Sequence, residues 1–166
     1  AADDLARLGE SGRAAANIAC HHSVMVFSRS QDELDGVLGA STALPSPADG
    51  EAVVVACPGS TWCRRALVNT RSVADSIRTA VAGIPAGGRT VCVSGCPNGC
   101  AHTAVADVGL TGRVASINGS KMEAFDLYAG GGMGRTPRLA QRIAQSLPAE
   151  EAPQAVGRLL DPRREV

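Results

Sequence analysis

Four cysteines in two closely spaced pairs constrain this chain of 166 residues more than any other feature. Five residues separate Cys57 from Cys63 in "ACPGSTWC", and three separate Cys96 from Cys100 in "SGCPNGC". Each pair follows an apolar run, "AVVVA" or "RTVCVSG", that predicts a buried strand. We therefore expect both pairs to lie where a strand passes into a loop, along one edge of a sheet.

Four thiolates in this arrangement are typical of a metal centre. Zinc sites usually have gaps of two to four residues within each pair, and the five-residue gap fits that poorly. A [4Fe–4S] cluster needs four thiolates, tolerates varied spacing and is tuned by backbone hydrogen bonds to sulfur. The spacing favours the cluster, and a zinc-stabilised structural or interaction module is the alternative from another class. Cys20 and Cys92, within apparent strands, are expected to be small buried residues.

Composition limits the other functions open to the chain. Apolar residues make up 45% and aromatic residues 2%, and 16 Lys and Arg balance 16 Asp and Glu. A zero net charge without a basic stripe argues against nucleic-acid binding. We find neither an apolar run of 18 residues nor a signal peptide, so we expect no membrane span and a cytoplasmic location. In that compartment the six cysteines favour metal binding over disulfides.

Periodicity and breaker residues predict a mixture of helices and strands. Two prolines and a glycine in 41–51 predict a boundary between an N-terminal lobe and the rest of the chain. Helices are predicted over 2–9, 31–38 with Ser30 as N-cap, 62–84, 136–147 with Thr136 as N-cap, and within 150–166. Strands are predicted within 14–28, 52–56, 89–95, 103–112 and 124–130, and a flexible glycine loop over 130–134.

The cysteine segments resemble those of the sulfite and nitrite reductase family, whose members contain siroheme and a [4Fe–4S] cluster. The C-x5-C and C-x3-C motifs, about thirty residues apart, carry this resemblance. The segments "VADVGLTG" (105–112) and "FDLYAGGGMG" (125–134) are similar to those that follow in the family, and "QDELDGVL" (31–38) is similar to the helix before the cluster region. The resemblance covers about residues 1–147.

The family resemblance implies an α+β fold. It implies a ferredoxin-like half-domain over 1–45, an α/β siroheme- and [4Fe–4S]-binding domain over 50–147, and a C-terminal helix and tail over 148–166. Full-length family members contain two such repeats, and this chain matches the second, cluster-binding one. We therefore expect a small single-repeat form that needs a second copy or a complementary chain to complete its anion pocket.

The resemblance also implies an oxidoreductase with a small inorganic anion as substrate. Cys57, Cys63, Cys96 and Cys100 would bind the cluster, and Cys100 would also bridge to the siroheme iron. The implied reaction is the six-electron reduction of sulfite or nitrite, with electrons from a ferredoxin or a flavoprotein. Two alternatives stay open: a corrinoid oxidation similar to that of precorrin-3B synthase, and a non-catalytic electron-transfer subunit.

Siroheme has eight carboxylates, so its binding calls for nearby cations and N–H donors. Asn98 in the second cysteine loop, Arg64 and Arg65 beside Cys63, and Arg89 are the candidate cofactor ligands. Lys121 is better explained as a solvated surface charge.

Three histidines and two arginines are candidates for proton transfer or anion binding. His21 and His22 lie where the family's half-domain has polar residues beside the cofactor, and histidine donates protons near neutral pH. Arg64 and Arg65 are the other candidate catalytic residues. The alternative interpretation of His21 and His22 is a structural one, in which each is a hydrogen-bonded histidine within a strand. His102, two residues after Cys100, allows either the functional or the structural interpretation.

Overall fold

The computed structural model describes residues 10, 12, 14–18, 24–39, 50–117, 119–133, 136–161 and 163. The chain divides into two compact units, Ala1–Ser46 and Pro47–Val166. The predicted helix over 2–9, together with Cys20, His21 and His22, lies outside the described residues.

The first unit contains a hairpin followed by a helix. Strand β1 (Ala14–Ile18) pairs antiparallel with β2 (Val24–Ser28), and helix α1 covers Gln31–Gly39. The Glu33 backbone N–H donates to the Ser30 Oγ at 3.3 Å, which is the bond that an N-cap serine makes. The predicted helix and its cap are therefore confirmed.

The second unit is built on a five-stranded mixed sheet in the order β3-β4-β5-β6-β7. The strands are β3 (Val53–Ala56), β4 (Thr90–Ser94), β5 (Val108–Ile117), β6 (Ser120–Ala129) and β7 (Gln141–Pro148). The helices are α2 (Thr70–Val81) and α3 (Ala152–Leu160), with short 3₁₀ turns at Gly59–Thr61, Thr103–Val105 and Ala149–Glu151. Strands β3, β4 and β5 are parallel, whereas β5, β6 and β7 are antiparallel. This arrangement confirms the predicted α+β class.

One face of this sheet, which we call the helix face, carries the main hydrophobic core. Helices α2 and α3 pack on it, and alternate strand residues point into the core. Its fully buried members include Ile77, Val93, Leu110, Phe125 and Leu160. The opposite face, which we call the loop face, carries a smaller cluster of Val55, Cys57, Cys92, Ala101 and Ala106. Within the described residues, no helix is long and apolar enough to cross a membrane.

The helix predicted over 136–147 is wrong, because residues 141–148 form strand β7 on the edge of the sheet. Leu139, Ile143 and Leu147 recur every four residues, a spacing that suits one helix face and also one strand face. The pairing decides between them: Leu147 lies opposite Phe125 and packs against the core, whereas Leu139 and Ile143 are exposed. Thr136 therefore caps no helix.

Three other segments differ from their predicted form. The helix predicted from residue 62 begins only at Thr70, where Asn69 caps it by accepting from the Ser72 N–H at 3.3 Å. The strand predicted over 103–112 begins at Val108, after a 3₁₀ turn. The described part of the glycine loop is held by backbone bonds, since the Gly130 N–H donates to the Asp107 carbonyl at 3.0 Å and the Gly132 N–H to the Arg138 carbonyl at 3.1 Å.

Candidate functional site

Two neighbouring parallel strands deliver the first cysteine of each pair to the same edge of the sheet. Cys57 directly follows β3, and Cys96 comes two residues after β4. Ala56 and Val93 are register partners, and the Cys57 N–H donates to the Val93 carbonyl at 3.0 Å. Because parallel strands end at a common edge, the two cysteine loops leave the sheet side by side.

The backbone of Gly95 joins the two loops. Its N–H donates to the Sγ of Cys57 at 3.2 Å, and its carbonyl accepts from the Leu67 N–H at 2.7 Å. A Cβ at this position would lie 2.8 Å from the Ala66 Cβ, so a side chain here would force the loops apart. Glycine is therefore what allows the first cysteine loop to pack directly on the second.

The second cysteine loop folds back across the loop face. The Gly99 N–H donates to the Cys96 carbonyl at 3.3 Å, and the Ala101 N–H donates to the Ser94 Oγ at 3.0 Å. Further on, the hydroxyl groups of Thr103 and Thr111 lie 3.2 Å apart. These bonds fix the loop at its start, middle and end, so Cys100 is presented by a defined turn.

Burial differs among the four cysteines. Cys57 and Cys96 are 7% and 9% exposed, Cys63 is intermediate, and Cys100 is exposed. Two of the four cysteines are thus buried at the sheet edge, one is partly exposed and one is exposed. This difference in exposure fits a cluster held at the edge of the sheet, with Cys100 accessible to a second cofactor.

The donor set fits an iron–sulfur cluster better than a single zinc ion. The N–H···S bond from Gly95 to Cys57 is the type that tunes cluster thiolates. In the described part of the chain, no three His, Cys, Asp or Glu side chains are grouped so that they could hold one metal ion.

Cys92 lies close to this site but is a structural residue, as expected from the sequence. It is completely buried on the loop face, and desolvation by burial, with a smaller contribution from the charge of Asp107, raises the pKa of its thiol to about 11. The side chain therefore stays protonated at neutral pH and behaves as a small apolar group.

Arg89, a predicted cofactor ligand, is bonded within the protein, and its role in cofactor binding stays a prediction. Its guanidinium donates to the carbonyls of Ala86, Leu159 and Leu160, and so ties β4 to the end of α3. Arg89 precedes β4, whereas Cys96 follows it, and a strand rises about 3.3 Å per residue. The arginine therefore lies at the opposite end of the strand from the cysteines.

Replacement of this arginine tests its structural role. We expect Arg89→Met to lower the free energy of unfolding by about 2 kcal/mol, because partly buried carbonyls lose a charged donor. Chemical denaturation measures the loss, and iron content per chain is expected to stay unchanged. A variant of normal stability that lost its metal would support the cofactor role instead.

The other predicted ligands are placed as follows. Arg64 and Arg65 are exposed in the loop after Cys63, and Asn98 is exposed between Cys96 and Cys100. Their roles stay predictions. Lys121 is exposed near the β5–β6 turn, as a solvated charge would be. His102 is exposed and has a left-handed backbone, with φ of 62°.

Sequence reasoning missed a charged cluster on the loop face of β5, β6 and β7. The Arg113 Nη1 donates to the two Asp126 oxygens at 2.8 and 3.2 Å, and the Arg142 Nη1 lies 3.5 Å from Asp126 Oδ2. Partial burial acts to raise the pKa of Asp126, but the bonds from Arg113 and the Ser146 N–H, with the two arginine charges, outweigh it and lower that pKa. The sequence does carry a signal for this cluster: side chains alternate along a strand, so Thr111 and Arg113 of β5 are expected on the same face of the sheet.

Comparison with known proteins agrees with this geometry. Residues 48–164 match the family described as the nitrite and sulphite reductase 4Fe-4S domain. The chain belongs to this family.

Relatives of this nitrite and sulphite reductase domain are much longer proteins. The chain is 31% identical over 118 residues to a ferredoxin–nitrite reductase of Synechococcus elongatus, which covers 70% of the chain and 23% of that protein. It is 30% identical over 166 residues to the chloroplastic ferredoxin–nitrite reductase of Zea mays, covering 95% of the chain and 29% of that protein. The chain thus spans about a quarter of the length of these curated relatives.

A solved structure extends the likeness to the fold. The Mycobacterium tuberculosis NirA protein matches 95% of this chain and 30% of its own, with a TM-score of 0.72 at 21% identity. At that identity the match supports the fold alone, and the fold agrees with the α+β class described above.

Proposed function

We propose that this chain is the siroheme- and [4Fe–4S]-bearing part of an oxidoreductase that reduces nitrite or sulfite by six electrons. The observation that carries the proposal is the junction of the two cysteine loops at Gly95, whose N–H donates to Cys57 Sγ at 3.2 Å. Membership of the 4Fe-4S domain family supports the cluster. When bound, the two cofactors supply the multi-electron redox chemistry, and the protein holds and tunes them.

In this proposal the four cysteines divide their roles by exposure. Cys57 and Cys96, both buried, would anchor the cluster, and Cys63 would complete its inner side. Cys100, which is exposed, would serve both the cluster and the siroheme iron. Arg64, Arg65 and Asn98 would meet carboxylates of the siroheme, and His21 and His22 would donate protons to the bound anion.

The family resemblance also supplies the proposed organisation of the chain. The half-domain over 1–45 would be ferredoxin-like, the region 50–147 would bind both cofactors, and 148–166 would form the C-terminal helix and tail. Since the chain spans only 23% of one relative and 29% of another, the residues that grip the substrate anion would come from a second copy or another polypeptide region.

Anaerobic purification followed by an optical spectrum and metal analysis tests the proposal. We expect an isobacteriochlorin band together with about five irons and four acid-labile sulfides per chain. Reduction assays with nitrite and sulfite, side by side, then identify the substrate. Four irons without the macrocycle would indicate an electron-transfer subunit, and zinc or no metal would overturn the proposal.

For the electron donor we propose an acidic carrier of the ferredoxin type. Trp62, beside Cys63, is 75% exposed, and Arg64, Arg65 and Arg71, which follow it in the chain, are exposed as well. Residues 52–74 contain no Asp or Glu. An exposed aromatic residue within a field of positive charge suits an acidic partner that must approach the cluster closely.

Charge reversal tests this docking surface. We expect the double variant Arg64→Glu and Arg65→Glu to slow cluster reduction by ferredoxin about tenfold at low salt, because steering is lost. Arg158→Glu, an exposed position on α3, is the matched control and should leave the rate unchanged. Reduction by dithionite, which needs no docking, should slow much less than reduction by ferredoxin. An equal loss with both reductants would mean that the arginines act on the cofactors alone, and would overturn the docking role.

A further inference from the structure

The Arg113, Asp126 and Arg142 cluster has more positive charge than its own carboxylate neutralises. Asp126 is only 14% exposed and already accepts from Arg113 at 2.8 Å and from the Ser146 N–H at 3.1 Å. The Arg142 Nη1 lies 3.5 Å from Oδ2 of Asp126, and the Arg142 side chain is 51% exposed. Two guanidiniums around one ionised carboxylate leave a net charge of about +1.

Arg113 is incompletely satisfied by this arrangement. Its Nε is buried and has no hydrogen-bond partner among the described residues, although Nη1 is bound to Asp126. Buried donors without partners are rare in native proteins and call for an explanation. The buried Nε is itself out of reach of an external ligand, but a guanidinium presents five N–H donors in a fork that suits bidentate carboxylate binding. Since the Arg113 side chain is 34% exposed, an additional anion would bind the donors that Asp126 leaves free.

The position of the cluster relates it to the cysteine loops. Thr111 and Arg113 lie on the same face of β5, and the Thr111 hydroxyl is 3.2 Å from that of Thr103, three residues after Cys100. Two residues along a strand correspond to about 7 Å. The guanidinium thus lies on the loop face, beyond the turn that presents Cys100 and beyond the end of β4, whose last residue Ser94 is paired with Thr111.

We propose that Arg113 and Arg142 bind a peripheral carboxylate of the tetrapyrrole, and that Asp126, which contacts both guanidiniums, fixes their positions. This inference rests on the proposed function, because it takes siroheme as the ligand. Asp126 then has a role opposite to that of the arginines: it orders them but also competes with the cofactor's carboxylate for their donors.

Titration of the cluster-containing protein with siroheme under anaerobic conditions tests the assignment. The dissociation constant is read from the change in the optical spectrum. We expect Arg113→Gln and Arg142→Gln each to weaken binding about tenfold or more, since each removes a charge-assisted hydrogen bond. Asp126→Asn is expected to tighten binding a few-fold, because it removes the competing negative charge.

Arg78→Gln provides a matched control. Arg78 is also paired with an aspartate, at 2.6 Å from Asp75, but on the exposed surface of α2. The Arg78→Gln variant should therefore bind siroheme with unchanged affinity. If Arg113→Gln does not fold, Arg142→Gln and Asp126→Asn decide the question, because the Arg142 side chain is half exposed.

The outcomes separate this inference from the proposed function. A wild-type protein that takes up no siroheme would overturn both. Wild-type binding with unchanged affinity in the arginine variants would overturn the assignment of Arg113 and Arg142 and leave the proposed function in place. Equal weakening by Asp126→Asn and Arg113→Gln would show a purely structural cluster and would also overturn the assignment.

Discussion

Cys57→Ala is expected to abolish cluster binding, with iron falling from about four atoms per chain to below one in preparations free of siroheme. Cys57 combines three features that a replacement loses together. Its thiol is buried, its Sγ accepts the Gly95 N–H at 3.2 Å, and it begins the loop that the second cysteine pair packs against. Metal and acid-labile sulfide analysis of anaerobically purified protein measures the effect.

Cys92→Ala is the matched control for this variant. Cys92 is buried in the same loop-face cluster as Cys57, and each substitution removes one buried sulfur atom from that cluster. We expect Cys92→Ala to keep its full iron and sulfide content and to lose only some packing energy, about 1 kcal/mol. Loss of the cluster in both variants would mean that packing, and not ligation, controls it, and the ligand assignment would then be wrong.

Gly109→Ala is expected to lower the free energy of unfolding by about 3 kcal/mol and to displace the turn that follows Cys100. A Cβ at this position would collide with the backbone carbonyl of Thr103, which rests directly on β5. Backbone cannot rotate away as a side chain can, so the whole 3₁₀ turn must shift. Chemical denaturation measures the stability, and iron content shows whether Cys100 has kept its place.

Gly36→Ala serves as the comparison for this variant. Gly36 lies inside helix α1, and a Cβ there would meet nothing within 4 Å. Alanine in a helix interior is more stable than glycine by about 0.5–1 kcal/mol, so this variant should be slightly stabilised. If Gly109→Ala were equally harmless, the close contact between Thr103 and β5 would not be needed for the fold.

Local patterns predicted the cysteine-bearing part of the molecule well. Apolar runs immediately before Cys57 and Cys96 identify β3 and β4 correctly, because buried parallel strands are apolar on both faces. The resemblance of the cysteine segments to a family, which the match over residues 48–164 confirms, came from the same short stretches. A strand and the ligand that follows it are encoded by neighbouring residues, so the sequence carries both.

Long-range contacts account for what local patterns could not predict. Arg89 donates to the carbonyl of Leu159, seventy residues away, and nothing near Arg89 signals that contact. The apolar spacing in β7 allows either a helix or a strand, and only the pairing of this segment with β6 makes it a strand. The Arg113 and Asp126 pair depends on the register of β5 against β6, which places Thr111 opposite Asp126.

The parallel arrangement of β3 and β4 has a consequence for the order in which the molecule matures. Adjacent parallel strands cannot be joined by a tight turn, and here the chain passes through α2 between them. The contact between Cys57 and Gly95 spans 38 residues, so it forms only after this crossover has docked. Contacts of large sequence separation form slowly, because loop closure comes first. We therefore expect the newly made chain to acquire its thiolate site late in folding, so that delivery of iron and sulfide either follows that final closure or drives it.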